Sequence, residues 1–292
     1  MSEVDLSALS AASARLVETT AARVVRVTAG RRELSGLVWT DDQIVTAEAC
    51  IADDEGLAVV LADGRSLAAE MIGRDPSTDV ALLRANTGPQ SAWEAADRPV
   101  AGAFAWAVGR EKDGPAAAFG VVARSGPAWT SSSGGRIEAY LRLQFLLPPA
   151  IEGGAVIDAS GHLLGLAVAD PRRRTLVIPA GSVAGSVAVL AEHGYVGRGY
   201  LGLALQPLRG GQTGLIAVEV VEEGPAAAAG LLVGDILTTW EGEEVGSMLA
   251  FFRRLGPDAV GSAVRLGLVR AGQPLELHLT VGERRPGARH KN

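Results

Sequence analysis

Short apolar runs, each ended by glycine, aspartate or proline, dominate the first two thirds of the chain. They are rich in Val, Ile and Leu, and examples are ARVVRV, GLAVVLADG, DVALLRA and TLVIPA. Such runs, with tight turns and no long helix between them, predict antiparallel strands in a barrel or sandwich. They disfavour alternating βαβ units, so we expect a mainly β fold.

Changes in this pattern divide the 292 residues into four segments. Residues 1–21 have a helix-compatible composition, and 22–195 form a β-rich domain that closes with a helix ended by Gly194. Residues 196–284 alternate strands with small helices, which predicts a compact α+β domain. The charged tail 285–292 contains Gly and Pro and is predicted to be disordered.

Composition excludes several classes of function. The net charge of −6 disfavours nonspecific nucleic-acid binding, and no apolar run is long enough for a membrane span. The single cysteine, Cys50, permits neither an internal disulfide nor a four-cysteine metal site. We predict no cofactor and no metal. The first residues lack the pattern of a secretion signal, so we expect a cytoplasmic protein, or a periplasmic or exported one if a leader has been removed.

Four phrases in the first domain and two in the second carry a family resemblance. They are SGLVWTDDQIVTAEACI (35–51), LADGRSLAAEMIGRDPSTDVALLRAN (61–86), EGGAVIDASGHLLGLAV (152–168), VIPA (177–180), RGYLGLALQ (198–206) and EEGPAAAAGLLVGDILTTWEGEEV (222–245). In this order they resemble the HtrA/Deg family of trypsin-like serine proteases. The resemblance implies a trypsin-like double β-barrel followed by a small α+β PDZ domain.

The catalytic positions implied by this resemblance are altered. A trypsin-like protease uses a serine activated by a histidine, which an aspartate orients, in the chain order His, Asp, Ser. The matching positions hold Ala49, Asp79 and Glu152. The histidines of the chain are His162, His193, His278 and His290. None precedes Asp79, so the sequence predicts a degenerate triad and a pseudoprotease that is not an enzyme.

An alternative interpretation is that the chain is an enzyme that uses the former catalytic cleft of the protease domain. Asp79 and Glu152 would then act as a carboxylate pair in a hydrolase with a remodelled site. When two carboxylates lie close together, the pKa of one of them rises, which suits it to acid–base catalysis. The structural interpretation is that Asp79 bonds nearby main-chain N–H groups and Glu152 faces solvent or an arginine. Cys50 is interpreted as a buried small residue. Ala150 replaces the glycine of the oxyanion loop, which puts that loop in doubt.

The second domain keeps the residues that a PDZ groove needs. A PDZ domain binds a C-terminal peptide as an added strand, and a tight loop takes the carboxylate. The resemblance places the peptide-binding residues at Tyr200, Leu201, Gly202, Leu203, Met248, Leu249 and Phe252. A structural interpretation assigns the apolar ones to the domain core.

These residues predict binding of peptides or protein C-termini with an apolar last residue. The chain would act as an adaptor, regulator or chaperone-like scaffold in bacterial protein quality control. An active paralogous protease is a second expected partner. The family's trimers are commonly held by N-terminal aromatic residues, whereas this chain has no aromatic residue before Trp39. The oligomeric state therefore stays open.

Overall fold

The computed structural model describes residues 5–208 and 213–284. The tail predicted over 285–292 lies outside the described residues. None of the described helices is long and apolar enough to cross a membrane.

The chain forms two compact units. The first comprises the chain up to Trp129 together with Ile137–Tyr195, and the second comprises Thr130–Arg136 together with the chain from Val196. Most of each unit is therefore continuous in sequence, but one short segment between two strands of the first domain groups with the second unit.

The described residues form four α-helices. They are α1 (Leu6–Ala21), α2 (Ala180–His193), α3 (Pro225–Ala228) and α4 (Met248–Arg253). Helix α1 begins where the carboxylate of Asp5 accepts the N–H groups of Ser7 and Ala8, as an N-cap aspartate does. Helix α2 ends at Gly194, whose φ of 76° is the left-handed conformation that glycine adopts at low cost, so the predicted helix end is confirmed.

Twenty-three strands make the described part of the protein mainly β, as the sequence predicted. Before Gly194 they are β1 (Val24–Ala29), β2 (Arg32–Val38), β3 (Gln43–Ala47), β4 (Ala58–Val60), β5 (Ser66–Ala68), β6 (Glu70–Asp75), β7 (Val80–Arg84), β8 (Phe104–Glu111), β9 (Gly114–Gly126), β10 (Trp129–Thr130), β11 (Arg136–Ile137), β12 (Tyr140–Leu146), β13 (Ala155–Ile157), β14 (Leu163–Ala169) and β15 (Arg174–Pro179). After Gly194 they are β16 (Arg198–Tyr200), β17 (Leu203–Pro207), β18 (Leu215–Val220), β19 (Ile236–Trp240), β20 (Glu243–Glu244), β21 (Ala263–Arg270), β22 (Gln273–Thr280) and β23 (Gly282–Arg284).

The first unit contains a seven-stranded antiparallel sheet and a closed antiparallel barrel. Strands β5-β4-β1-β2-β3-β7-β6 form a seven-stranded sheet, and β12-β15-β14-β13-β8-β9 close into a barrel. Both bury apolar side chains, because successive residues of a strand point to opposite sides and every second one can face the core. Fully buried members include Leu34, Leu37, Ile44, Leu82, Leu143 and Leu166. Helix α1 is tied to the barrel by the indole N–H of Trp106, which donates to Ser13 Oγ at 2.7 Å.

The second unit is built on the sheet β17-β18-β19-β21-β22, with β20 paired to β19. Strand β17 lies at the edge of this sheet, and β16 pairs separately with β23. The buried core includes Leu201, Leu205, Leu215, Leu237, Phe251 and Leu266. Asp235, 1% exposed, is held by the guanidinium of Arg270 at 2.7 Å, which stabilises the turn before β19.

Candidate functional site

The two positions predicted for the histidine and the aspartate lie side by side. Ala49 belongs to a short 3₁₀ turn after β3, and its main-chain N–H donates to Asp79 Oδ1 at 2.8 Å. Asp79 ends the turn before β7, and its φ of 61° is uncommon for a residue with a side chain. The fold therefore brings residue 49 to Asp79, but it presents a methyl group where an imidazole would stand.

The carboxyl of Asp79 is an unusually weak acid. Its pKa is raised to about 7, chiefly by burial, and the negative charges of Glu48 and Glu152 contribute in the same direction. The hydrogen bond from Ala49 acts in the opposite direction but is the smaller effect. Asp79 can therefore hold a proton close to neutral pH, as a buried carboxyl beside other carboxylates is expected to do.

Glu152, at the serine position, points its carboxylate at an arginine. The Arg173 guanidinium donates to Glu152 Oε2 at 2.7 Å and, through its other Nη, to the carbonyl of Leu147. The Glu152 side chain is only 12% exposed. This is the arginine-paired arrangement that the structural interpretation predicted. It holds the carboxylate in a salt bridge, whereas the carboxylate-pair alternative requires an acid aimed into an open pocket.

Cys50 completes this cluster of acidic groups. Burial raises the pKa of its thiol to about 12, and the charges of Glu152 and Asp79 together with a hydrogen bond to Glu152 act in the same direction. The thiol therefore stays protonated near neutral pH, which is the opposite of what a nucleophilic cysteine requires. Its side chain is half-buried rather than fully buried.

The loop before Glu152 forms a 3₁₀ turn, Pro149–Ile151. The N–H of Glu152 donates to the Pro149 carbonyl at 3.2 Å, and the Ala150 carbonyl accepts from Ser35 Oγ at 2.6 Å. Ser35 Oγ in turn accepts the N–H of Arg110. Sequence reasoning missed Ser35, because it lies 115 residues from Ala150 and no local motif marks it. Among the described residues, no group of three His, Cys, Asp or Glu side chains could hold a metal ion.

The predicted carboxylate loop of the second unit follows β16. The carbonyl of Leu201 accepts the N–H of Ala226 at 2.9 Å, and the carbonyl of Gly202 accepts the N–H of Val221 at 2.9 Å. Gly202 has a φ of 77°, and a Cβ there would lie 3.2 Å from Gly224 Cα, so the position suits glycine. Both carbonyls of the loop are therefore turned towards the body of the domain.

The predicted side chains of the groove fall into two sets. The side chain of Leu201 is 2% exposed and belongs to the core, as the structural interpretation proposed, while Leu203 and Met248 are partly buried against the same core. Leu249 and Phe252 are 49% and 45% exposed on α4. The Oγ atom of Ser247 caps this helix by accepting the N–H of Ala250, and α4 contacts the edge strand β17.

Two family models match the chain. A trypsin-like peptidase domain matches residues 34–166, and a PDZ domain matches residues 199–281. The fold predicted from the sequence, a trypsin-like domain followed by a PDZ domain, is therefore confirmed.

Similar proteins agree with this domain order. The chain is 27% identical over 268 residues to the probable periplasmic serine endoprotease DegP-like of Brucella suis biovar 1 (strain 1330) and to the periplasmic serine endoprotease DegP of Escherichia coli (strain K12). The match covers 85% of this chain but 52% and 56% of those proteins, so the chain spans about half the length of the curated relatives it matches.

Solved structures show the same fold. The serine endoprotease from Yersinia pestis has a TM-score of 0.73 and 24% identity, with 97% of this chain and 100% of that chain covered. The HtrA-type protease AlgW with decapeptide has a TM-score of 0.70 and 22% identity, with 94% and 99% covered.

The prediction that the chain is not an enzyme is wrong in view of these relatives. The proteins from Brucella and Escherichia are both named as serine endoproteases, whereas the prediction rested on two replaced side chains, Ala49 and Glu152. Those replacements stand in the sequence, but they do not by themselves establish inactivity. Both relatives are also named as periplasmic, so a cytoplasmic location has no support.

Proposed function

We propose that this chain, with its trypsin-like peptidase domain and PDZ domain, is a protein of the HtrA/DegP type that binds peptides. The PDZ groove binds the C-terminal ends of peptides and proteins whose last side chain is apolar. Through this groove the protein works as an adaptor, regulator or chaperone-like scaffold in protein quality control. Capture in the groove requires no chemistry in the barrels, so it is measured separately from peptidase activity.

The observation that carries this proposal is the direction of the loop carbonyls. Across a trans peptide, the C=O of one residue and the N–H of the next point to opposite sides. Because the carbonyls of Leu201 and Gly202 face Ala226 and Val221, the N–H groups of Gly202 and Leu203 point away from them. Successive N–H groups on one side of a tight loop form a cradle for a carboxylate.

The surroundings of this loop favour an extended peptide with an apolar end. Strand β17 starts at Leu203 and lies at the sheet edge, so its outer main-chain groups can pair with an added strand. The exposed side chains of Leu249 and Phe252 and the half-buried Met248 offer apolar surface on α4. Burying that surface against an apolar terminal side chain is favourable by about 25 cal/mol per Å².

The names of the relatives suggest where the protein works. Because both DegP-type relatives are named as periplasmic, we place the function outside the cytoplasm. An active paralogous protease is a natural partner there, since a bound C-terminus can be passed on to it.

The test measures peptide binding to the full chain by fluorescence anisotropy. A labelled peptide that ends in Val with a free carboxylate is compared with the same peptide amidated at its C-terminus. We expect amidation to weaken binding at least about tenfold, because the charge-assisted hydrogen bonds to the loop are lost. The double substitution Leu249→Ala/Phe252→Ala, the groove variant, should also weaken binding about tenfold.

The matched control is Leu232→Ala, which removes a side chain of similar exposure, 55%, from the turn before β19. It should leave the affinity within about twofold. Equal affinity for the acid and the amide would contradict the proposal, and so would equal losses in the control and in the groove variant.

A further inference from the structure

A cleft lies in the first unit, and neither Ala49 nor Asp79 lines it. Its volume is about 560 Å³, within the range of small-molecule sites. One face of α1, the segment 91–94 and the turn 159–162 line it. The α1 side chains recur every three or four residues, as on one side of a helix, and include Arg15, Leu16 and Thr19.

Arg23, just after α1, is the most constrained cation of this cleft. Its guanidinium lies 3.7 Å from the centre of the Trp93 ring, and Nη2 donates to the Ser91 carbonyl. The indole N–H of Trp93 donates to the Val38 carbonyl at 2.8 Å, so the ring that supports the arginine is itself fixed. The guanidinium is therefore held in one orientation before any ligand binds.

This guanidinium still has a donor to offer. The Nε atom of Arg23 is buried and has no hydrogen-bond partner among the described residues. Burial also lowers the pKa of Arg23, which reflects the partial loss of solvent around its charge. Because this Nε is out of contact with solvent, a ligand in the cleft would accept from the N–H groups of Nη1 and Nη2 that the Ser91 carbonyl does not use.

The charges around the cleft favour an anion. Within the part of the chain that the structure describes, neither Arg15 nor Arg23 makes an ion pair. The acidic group of the cleft, Glu94, lies with Oε2 3.2 Å from Nε2 of His162. Two arginines thus remain for a ligand, and Leu16 and Trp93 contribute apolar surface to the same lining.

We propose that this cleft, the Arg23 cleft, binds an organic molecule that carries a carboxylate beside an apolar body. The carboxylate accepts from the Arg23 fork, Arg15 adds a second positive charge, and the apolar body packs on Leu16 and Trp93. The bound carboxylate belongs either to a free small acid or to the last residue of a peptide. This site is separate from the PDZ groove and does not depend on it.

The test is isothermal titration calorimetry on the full chain carrying the groove variant, so that PDZ binding does not contribute. The probes are N-acetyl-phenylalanine, its amide, and a tetrapeptide that ends in Phe with a free carboxylate. We expect saturable binding of the acid below about 10 mM and at least about tenfold weaker binding of the amide. Binding of the tetrapeptide as well assigns the site to peptide ends, and binding of the small acid alone assigns it to free acids.

Two substitutions locate the bound carboxylate. Arg23→Gln should weaken acid binding at least about tenfold and Arg15→Gln several-fold, whereas Arg84→Gln, an exposed arginine outside the cleft, should change it less than twofold. Thermal unfolding reports whether each variant folds. If Arg23→Gln does not fold, Arg15→Gln alone tests the proposal. Equal binding of acid and amide, absence of heat up to about 10 mM, or equal losses in Arg15→Gln and Arg84→Gln overturn the proposal.

Discussion

The main-chain N–H of Ala49 donates to Oδ1 of Asp79 at 2.8 Å, so the two positions of an imidazole–carboxylate pair meet without an imidazole. Asp79 is left with a main-chain donor and with the charges of Glu48 and Glu152 near it. A carboxyl in this setting titrates far above its ordinary range, and this can be measured as a dependence of stability on pH.

The pKa of Asp79, raised to about 7, predicts that its charge destabilises the folded state. The unfolded carboxyl titrates near pH 4, so the folded state binds the extra proton between about pH 4 and 7. Stability contributed by the protonated carboxyl is complete below about pH 4 and is lost as the pH rises through 7.

Asp79→Asn, which cannot ionise, should match the wild type in melting temperature at pH 4 and exceed it by several degrees at pH 8. Asp97→Asn, at an exposed carboxylate, is the control and should show no such divergence. A constant difference between wild type and Asp79→Asn across this pH range would contradict the assignment.

The thiol of Cys50 should react slowly in the folded protein. Its pKa is raised to about 12, so almost none of it is thiolate at pH 8. We expect alkylation by iodoacetamide to be at least about a hundredfold slower in the native than in the unfolded chain. Glu152→Gln should accelerate the native reaction, because it removes a charge that raises this pKa, whereas the exposed Glu70→Gln should not. Equal effects of the two substitutions would count against the contact between Cys50 and Glu152.

The ion pair between Glu152 and Arg173 should contribute measurably to stability. Its N–O distance is 2.7 Å, and the glutamate side chain is 12% exposed, so solvent screens the pair only in part. A double-mutant cycle with Glu152→Gln and Arg173→Gln should give a coupling energy of about 1 kcal/mol by denaturant unfolding. The comparison pair is Arg65 with Asp63, both more than half exposed, where the coupling should be indistinguishable from zero. Similar couplings in the two cycles would show that Arg173 does not hold Glu152 in solution.

The loop at Gly202 should tolerate no side chain. Gly202→Ala forces a residue with a Cβ into a φ of 77° and brings that Cβ to 3.2 Å from Gly224 Cα. We expect a loss of about 1–2 kcal/mol in the free energy of unfolding, together with weaker peptide binding. Gly246→Ala is the matched control, because its φ lies outside the left-handed region and a Cβ there has open space. Full peptide affinity in a folded Gly202→Ala chain would rule out this loop as the carboxylate site.

Local patterns predicted the elements of the fold, but they did not predict how distant segments meet. The strand runs and the glycine at 194 mark elements, because spacing and turn chemistry are local. The stacking of Arg23 on Trp93 joins residues 70 positions apart, and no spacing rule indicates it. The structure also groups Thr130–Arg136 with the second unit, although the segment lies within the first domain in sequence.

The candidate sites were predictable to different degrees. The resemblance aligned residues 49 and 79 with two positions of one catalytic site, and in the structure the two residues share a hydrogen bond. It did not identify Arg173 as the partner of Glu152, since three successive arginines stand in that turn and only the turn geometry selects one. It also placed Leu201 on a pocket wall, whereas that side chain is 2% exposed and lies in the core.

Strand β17 ends at Pro207, a residue with no N–H to give to a neighbouring strand. A chain that pairs along this edge from the loop onwards therefore runs out of partners after about four residues. A peptide bound as we propose would therefore contact the groove through a short C-terminal stretch only, so the groove could accept many proteins that share nothing except their last residues.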